Sequence, residues 1–186
     1  VRHALSAGGG MKFCADGQIA VIDPEYDTGV SRVVERLSAL STHDPRIFDY
    51  FCPLMQAGDV VVDAGAYIGD HTVAYAERVG PAGQVWAFEV WALALECLTY
   101  NTRHLPQVHI VPAALGDRRG EVEVLPEFTN DASRMGSRTY VHSLEPSQYG
   151  TGLPMVPLDL FTFDRLDFLK LDVEGCELKV LKGAAA

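Results

Sequence analysis

The run from Asp59 to Gly69, DVVVDAGAYIG, restricts this chain more than any other feature. Three consecutive valines favour extension, and the run is too apolar for a strand with one face in water. It breaks off at an acid, Asp63, followed by glycines four apart at 65 and 69, and a helical pattern resumes near Asp70. A buried strand that turns sharply into a helix is the opening unit of an open α/β sheet. Gly80-Pro81-Ala82-Gly83 stops that helix, and the unit repeats: Gln84 to Phe88 reads as a second strand ending at Glu89. Leu93, Leu95, Cys97 and Leu98 then suggest a helix running to about Asn101. Val108 to Val111 predicts a third strand, Glu121 to Leu125 a short one, Asp167 to Leu171 another, and Glu177 to Leu181 the start of a helix. Strand–helix alternation implies an open α/β domain built on a parallel sheet with right-handed crossovers.

Two segments lie outside this alternation. Residues 1–58 read as a prelude packed on a main domain spanning 59–186. An Asp16-Gly17 pair between apolar runs signals a hairpin. Helical spacing recurs over Val30 to Leu40, with Thr28 as N-cap, and a second helical piece starts at Asp44-Pro45 and ends or kinks at Pro53. Residues 126–155 show little periodicity and many Gly, Ser, Thr and Pro. They read either as a binding loop or lid, or as a surface excursion.

Composition narrows the partners. The chain has 186 residues, 48% of them hydrophobic and 22% charged, which suits one globular domain. Its net charge of −10 argues against nucleic acid or an anionic membrane as a general partner. No apolar run reaches the ~18 residues of a membrane helix. The start carries no basic-then-apolar leader, and four cysteines, Cys14, Cys52, Cys97 and Cys176, stand singly. Reduced thiols in a cytoplasmic protein are the expectation.

The chemistry is expected where such sheets bind ligands, at the carboxyl ends of the central strands. A nicotinamide turn wants G-x-G-x-x-G for its pyrophosphate. Here the glycines are four apart and Asp63 introduces them, which suits an ammonium group better than a phosphate. Glu89 stands twenty residues beyond Gly69, where an acid accepts from both hydroxyls of a ribose. An ordinary capped turn and a solvated strand-end glutamate would explain each acid singly. Together, Asp63 and Glu89 describe S-adenosyl-L-methionine better than a dinucleotide.

The runs VVDAGAYIGDHT, VWAFEV, ALGDRRG and LDLFTFDRLDFLKLDVEGCELKVLKGA resemble the FkbM-type methyltransferases, class I S-adenosylmethionine-dependent enzymes, which implies a Rossmann-like open, mostly parallel sheet with helices on both faces. The most specific stretch is Lys170-Leu171-Asp172-Val173-Glu174-Gly175-Cys176-Glu177. The resemblance implies that Asp63, Gly65, Ala66 and Gly69 line the methionine end, that Glu89 holds the ribose, and that Ala114 and Leu115 flank the adenine. Tyr67 stands among the lining residues where the family often has Asn, and Val90 replaces a usual proline. The implied reaction is methyl transfer to a hydroxyl oxygen of a sugar or natural-product-like small molecule, with Asp172 and Glu174 as candidate bases and Lys170 and His71 as weaker ones. Alternation along an extended strand end would put Asp172 and Glu174 on one side, and mutual repulsion would raise one pKa.

Several readings compete with this one. Asp172 and Glu174 suit a hard cation, yet carboxylates there more often contact loops or cap the next helix. His104, His109 and His142 lack metal-ligand spacing, so no metal is expected. The family continues with further strands beyond Lys182-Gly183. A sheet ending at its fourth strand would expose an edge, so a further C-terminal segment or a second copy of the chain is expected to cover it. A non-catalytic module that keeps the fold, and a nicotinamide oxidoreductase, are the rival functions.

Overall fold

The computed structural model describes residues 10–14, 17–23, 34, 49–124, 140–143 and 152–186. Its first element is the expected hairpin, β1 (Met11–Cys14) antiparallel to β2 (Ile19–Ile22), with Phe13 opposite Ala20. Gly17 has φ 84°, the left-handed value that the turn requires. The helix expected over Val30 to Leu40 lies outside the described residues apart from Val34, which is helical and buried. Of the second helical piece, residues 49–51 are helical and pass into a 3-10 turn, Cys52–Leu54, that contains Pro53.

The main sheet has β3 (Val60–Ala64), β4 (Gln84–Phe88), β5 (Val108–Val111) and, last along the chain, the strand Phe168–Leu171. The Phe168–Leu171 strand pairs with β3, so the order runs Phe168–Leu171, β3, β4, β5, all parallel. Helices α1 (Asp70–Val79) and α2 (Ala92–Thr102) connect these strands. Alternation along β3 assigns its side chains: Val61 packs with Tyr75, Ala76 and Val79 of α1, and Val62 and Ala64 face the other way. There they meet Phe88, Leu158 and Val180, the last from the helix Glu177–Lys182. Apolar cover on both faces is why β3 reads as an unbroken apolar run. Asp63, on the Val61 side, is the polar exception.

A second sheet corrects the reading of residues 126–155 as a loop throughout. After β5 come β6 (Ala114–Leu115), β7 (Gly120–Val124), β8 (Tyr140–Ser143) and β9 (Leu153–Val156), in the order β6-β9-β7-β8. β9 sits inside this sheet although it contains Pro154. Proline lacks the N–H that a central strand donates. The sheet tolerates it because β6 pairs only with Met155 and Val156, leaving Pro154 a single neighbour, β7. The Phe168–Leu171 strand is thereby β10, and Glu177–Lys182 is α3. Among the described residues β10 pairs only with β3.

The hairpin packs on α2. Ile19, Ala20, Val21 and Ile22 form one buried cluster with Val34, Ile68, Ala94 and Cys97. Burial, with Glu96 nearby, pushes the Cys97 thiol up to about 12, so it acts as an inert apolar side chain.

Candidate active site

At the carboxyl end of β3 the backbone takes left-handed values three times in five residues: Gly65 φ 75°, Tyr67 φ 52°, Gly69 φ 91°. The turn is closed by its own hydrogen bonds. The Gly65 and Ala66 amides both donate to the Phe88 carbonyl at 3.0 Å, and the Gly69 amide donates to Ala66 at 2.9 Å. A Cβ on Gly65 would collide with the carbonyl oxygen of Asp172. One on Gly69 would lie 2.8 Å from Leu98 Cδ1. Close approach is therefore what both glycines supply, and the approaching groups are the loop after β10 and helix α2.

Asp63 is fully buried, and its partners are internal. Thr72 Oγ1 donates to Oδ2 at 2.6 Å, and Lys170 Nζ lies 3.0 Å from Oδ1. Lys170 also donates to the Gly65 carbonyl at 2.7 Å and to Ala64 at 3.4 Å. Asp63 therefore faces α1 and Lys170, and its carboxylate is engaged by both. Burial alone would lower the Lys170 pKa, but Asp63, Asp172 and Asp70 raise it overall. Lys170 is thus a cation that braces the turn.

Glu89 is 6% exposed just beyond β4. Its Oε2 accepts from the Tyr67 amide at 2.8 Å, and its Oε1 from Val90 at 2.7 Å and Trp91 at 2.8 Å. A carboxylate has about four acceptor positions, so these bonds leave one, on Oε2. Desolvation raises the Glu89 pKa, against the pull of those amides and Lys170. Tyr67 stacks on Trp91 with ring centroids 6.1 Å apart, and both pack against the hairpin cluster.

The loop after β10 crosses beside the turn. The Asp172 amide donates to the Ala64 carbonyl at 3.0 Å, extending the β10–β3 pairing by one residue. Glu174 then has φ 51° in a turn, so extension does not persist and strand alternation cannot place it beside Asp172. Both side chains belong to exposed residues. Partial burial, then Asp172 and Glu177, raise the Glu174 pKa, the direction expected for one member of this acid pair. Glu177, rather than either of them, closes the turn, accepting from the Gly175 amide at 3.1 Å. Ala114 packs with Val90. Leu115 is 3% exposed in the cluster with Phe88 and Val180, so its side chain serves the core. His71 is buried against Tyr75, the rings stacked at 5.8 Å. No trio of His, Cys, Asp or Glu among the described residues is grouped to hold a metal, and no helix there is long and apolar enough to cross a membrane.

One further residue carries weight here that the sequence reading used only to end a helix. Asn101, 3% exposed on α2, joins the hairpin to Ile68 in the turn. A polar residue in the last turn of an apolar helix is the signal for it, though a weak one.

Residues 63–186 match the methyltransferase FkbM domain, about two-thirds of the chain. No curated protein matches. Among solved structures, a methyltransferase FkbM from Methylobacillus flagellatus KT is 21% identical, with TM-score 0.47, and the match covers 73% of this chain and 32% of that one. A SAM-dependent O-methyltransferase from Thermotoga maritima is 14% identical, with TM-score 0.36, over 61% of this chain and 64% of that one. Aeropyrum pernix fibrillarin, solved with natively bound S-adenosyl-L-methionine, is 18% identical over 30% of this chain and 24% of that one, with TM-score 0.29. The chain spans about a third of the length of the Methylobacillus protein. With the glycine turn, Glu89 and the Lys170–Glu177 loop all inside the matched residues, the chain belongs to the FkbM methyltransferase domain family.

Proposed function

We propose that this domain binds S-adenosyl-L-methionine and transfers its methyl group to a hydroxyl oxygen of a small sugar-like or natural-product-like molecule. One observation carries the reading: the carboxyl edge of the sheet is anionic, and four amides of its glycine turn are already bonded within the protein. The amides of Gly65, Ala66, Tyr67 and Gly69 already donate to protein acceptors. Phosphate-binding turns leave such amides open. Asp63, Asp70 and Glu89 are buried near that edge, with Asp172 and Glu174 beyond them, and Lys170 is the cation among them. A cationic ligand fits that charge balance, and a dinucleotide does not. Tyr75 reports the same field, its pKa raised by burial and then by Asp63 and Asp70.

Within that reading, the remaining acceptor position of Glu89 holds one ribose hydroxyl. The Gly65–Gly69 turn lies along the methionine end, and Ala114 borders the adenine. When bound, the cofactor supplies an electrophilic methyl on a good leaving group. The chain's task is then to hold the acceptor oxygen in line and keep water out, an effect worth up to about 7–11 kcal/mol in favourable cases. Glu174, whose raised pKa suits proton uptake, receives the hydroxyl proton, worth about 10²–10⁴-fold.

The test is enzymatic. Glu174→Gln is expected to keep cofactor affinity while lowering turnover at least tenfold, and full turnover would remove Glu174 from the mechanism. Glu89→Ala is expected to weaken S-adenosylhomocysteine binding in calorimetry by about 1–3 kcal/mol. A thermal shift with NAD but none with S-adenosylhomocysteine would overturn the reading altogether.

A further inference from the structure

Asn101 has its whole donor set engaged in two parts of the fold at once. Its Oδ1 accepts from the Ala20 amide at 2.8 Å, and its Nδ2 donates to the Ala20 carbonyl at 2.9 Å and to the Ile68 carbonyl at 2.8 Å. The first two bonds treat the outer edge of β2 as a neighbouring strand would, satisfying groups that an open edge leaves bare. The third reaches the residue between Tyr67 and Gly69, both left-handed. Packing repeats the link. Ile68 is fully buried in the cluster formed by the hairpin strand, not in the clusters of the parallel sheet. Tyr100, next to Asn101, donates to the Gly17 carbonyl and meets Phe13 edge-on at 4.9 Å.

We infer that Asn101 is a positioning residue that couples the β1–β2 hairpin to the second half of the cofactor turn, so that order in one is order in the other. The consequence for binding rests on the cofactor reading above. A ligand that fixes Tyr67 to Gly69 also fixes the hairpin, and by linkage a loosened hairpin weakens the ligand. The first half of the turn stands outside this coupling, because its amides answer to Phe88 in the sheet.

Residue-resolved hydrogen exchange on the full chain decides the matter, first without ligand. Asn101→Leu keeps the side chain's size and removes all three bonds. The expected result is about tenfold faster exchange at the Ala20, Tyr67 and Gly69 amides, with Gly65 and Ala66 unchanged. Acceleration at Ala20 alone, or at all the turn amides together, overturns the coupling. The second arm adds S-adenosylhomocysteine. In the unsubstituted chain Ala20 is expected to slow together with Tyr67 and Gly69; in Asn101→Leu the turn still slows and Ala20 does not. Ligand protection of Ala20 that persists in the variant, or is absent from the unsubstituted chain while the turn is protected, overturns it as well. If Asn101→Leu does not fold, the unsubstituted chain answers alone. If the chain takes up no S-adenosylhomocysteine, the cofactor reading fails, and the ligand-free exchange still judges the coupling.

Discussion

The two halves of the turn after β3 are built by different physics. Asp63 to Ala66 is held by a buried ion pair and by sheet backbone: Lys170 on Asp63 and two carbonyls, Phe88 on two amides. Tyr67 to Gly69 is held by a carboxamide, a carboxylate accepting one amide, and the apolar hairpin. The carboxamide's neutral hydrogen bonds contribute about 0.5–1.5 kcal/mol each and the amide's bond to the Glu89 carboxylate about 1.5–3, and such bonds fail one at a time. A buried ion pair contributes little net, yet losing one partner leaves an uncompensated charge and costs far more. The first half is therefore brittle, and the second is adjustable.

The largest expected effect probes that brittleness. Lys170→Met leaves Asp63 buried without its counter-charge and should cost about 3–5 kcal/mol in denaturant unfolding. Adding Asp63→Asn to Lys170→Met should recover much of that loss, because the orphaned charge is then gone. A loss below about 1 kcal/mol for Lys170→Met would erase the contrast between the halves.

The glycines give the next test. Gly65→Ala meets both a left-handed backbone and the rigid Asp172 carbonyl, and is expected to cost roughly 3 kcal/mol or more. Gly69→Ala has a similar φ, but its obstacle is the flexible end of Leu98, so about 1–2 kcal/mol is expected. Equal costs would mean that the two halves are equally rigid.

A smaller effect sharpens the role of Glu89. Its folded pKa is raised above the ordinary 4.5. In the pH range above 4.5 the folded chain therefore binds more protons at this site than the unfolded one. Stability from this group is complete below pH 4.5 and is lost as pH rises through the folded value. Glu89→Gln removes the titration, so the stability of the unsubstituted chain relative to this variant should fall as pH rises from 4.5. A difference that grows with pH would show that the three amides outweigh burial.

Much of the frame was legible because its signals are local. The valine run, the spaced glycines and Glu89 fix β3, the turn and the end of β4, and alternation along the chain makes the sheet parallel. What escaped was non-local or ran against a local rule. No periodicity pairs Asp63 with Lys170, because the two stand on different strands far apart along the chain. Asn101 matters only once the hairpin docks. β9 was hidden by Pro154, and β6 by its two-residue length. Glu174 escaped strand alternation because β10 ends at Leu171 and the chain enters a left-handed turn before the side chains could alternate that far.

The brace at Lys170 also has a consequence in time. Lys170 and the Ala64 carbonyl are 106 residues apart, whereas Ala20, Ile68 and Asn101 all lie on one side of β5. At about 5–20 residues per second on the ribosome, the hairpin, α2 and the second half of the turn are made several seconds before Lys170. A nascent chain thus holds Asp63 with only Thr72 to satisfy it until the far strand arrives. Ribosome-bound chains stalled before β10 should already protect the Ala20 amide and the Gly65 and Ala66 amides that Phe88 accepts, while the β3 edge that faces β10 still exchanges freely, so the Asp63–Lys170 brace is the last part of the turn to form.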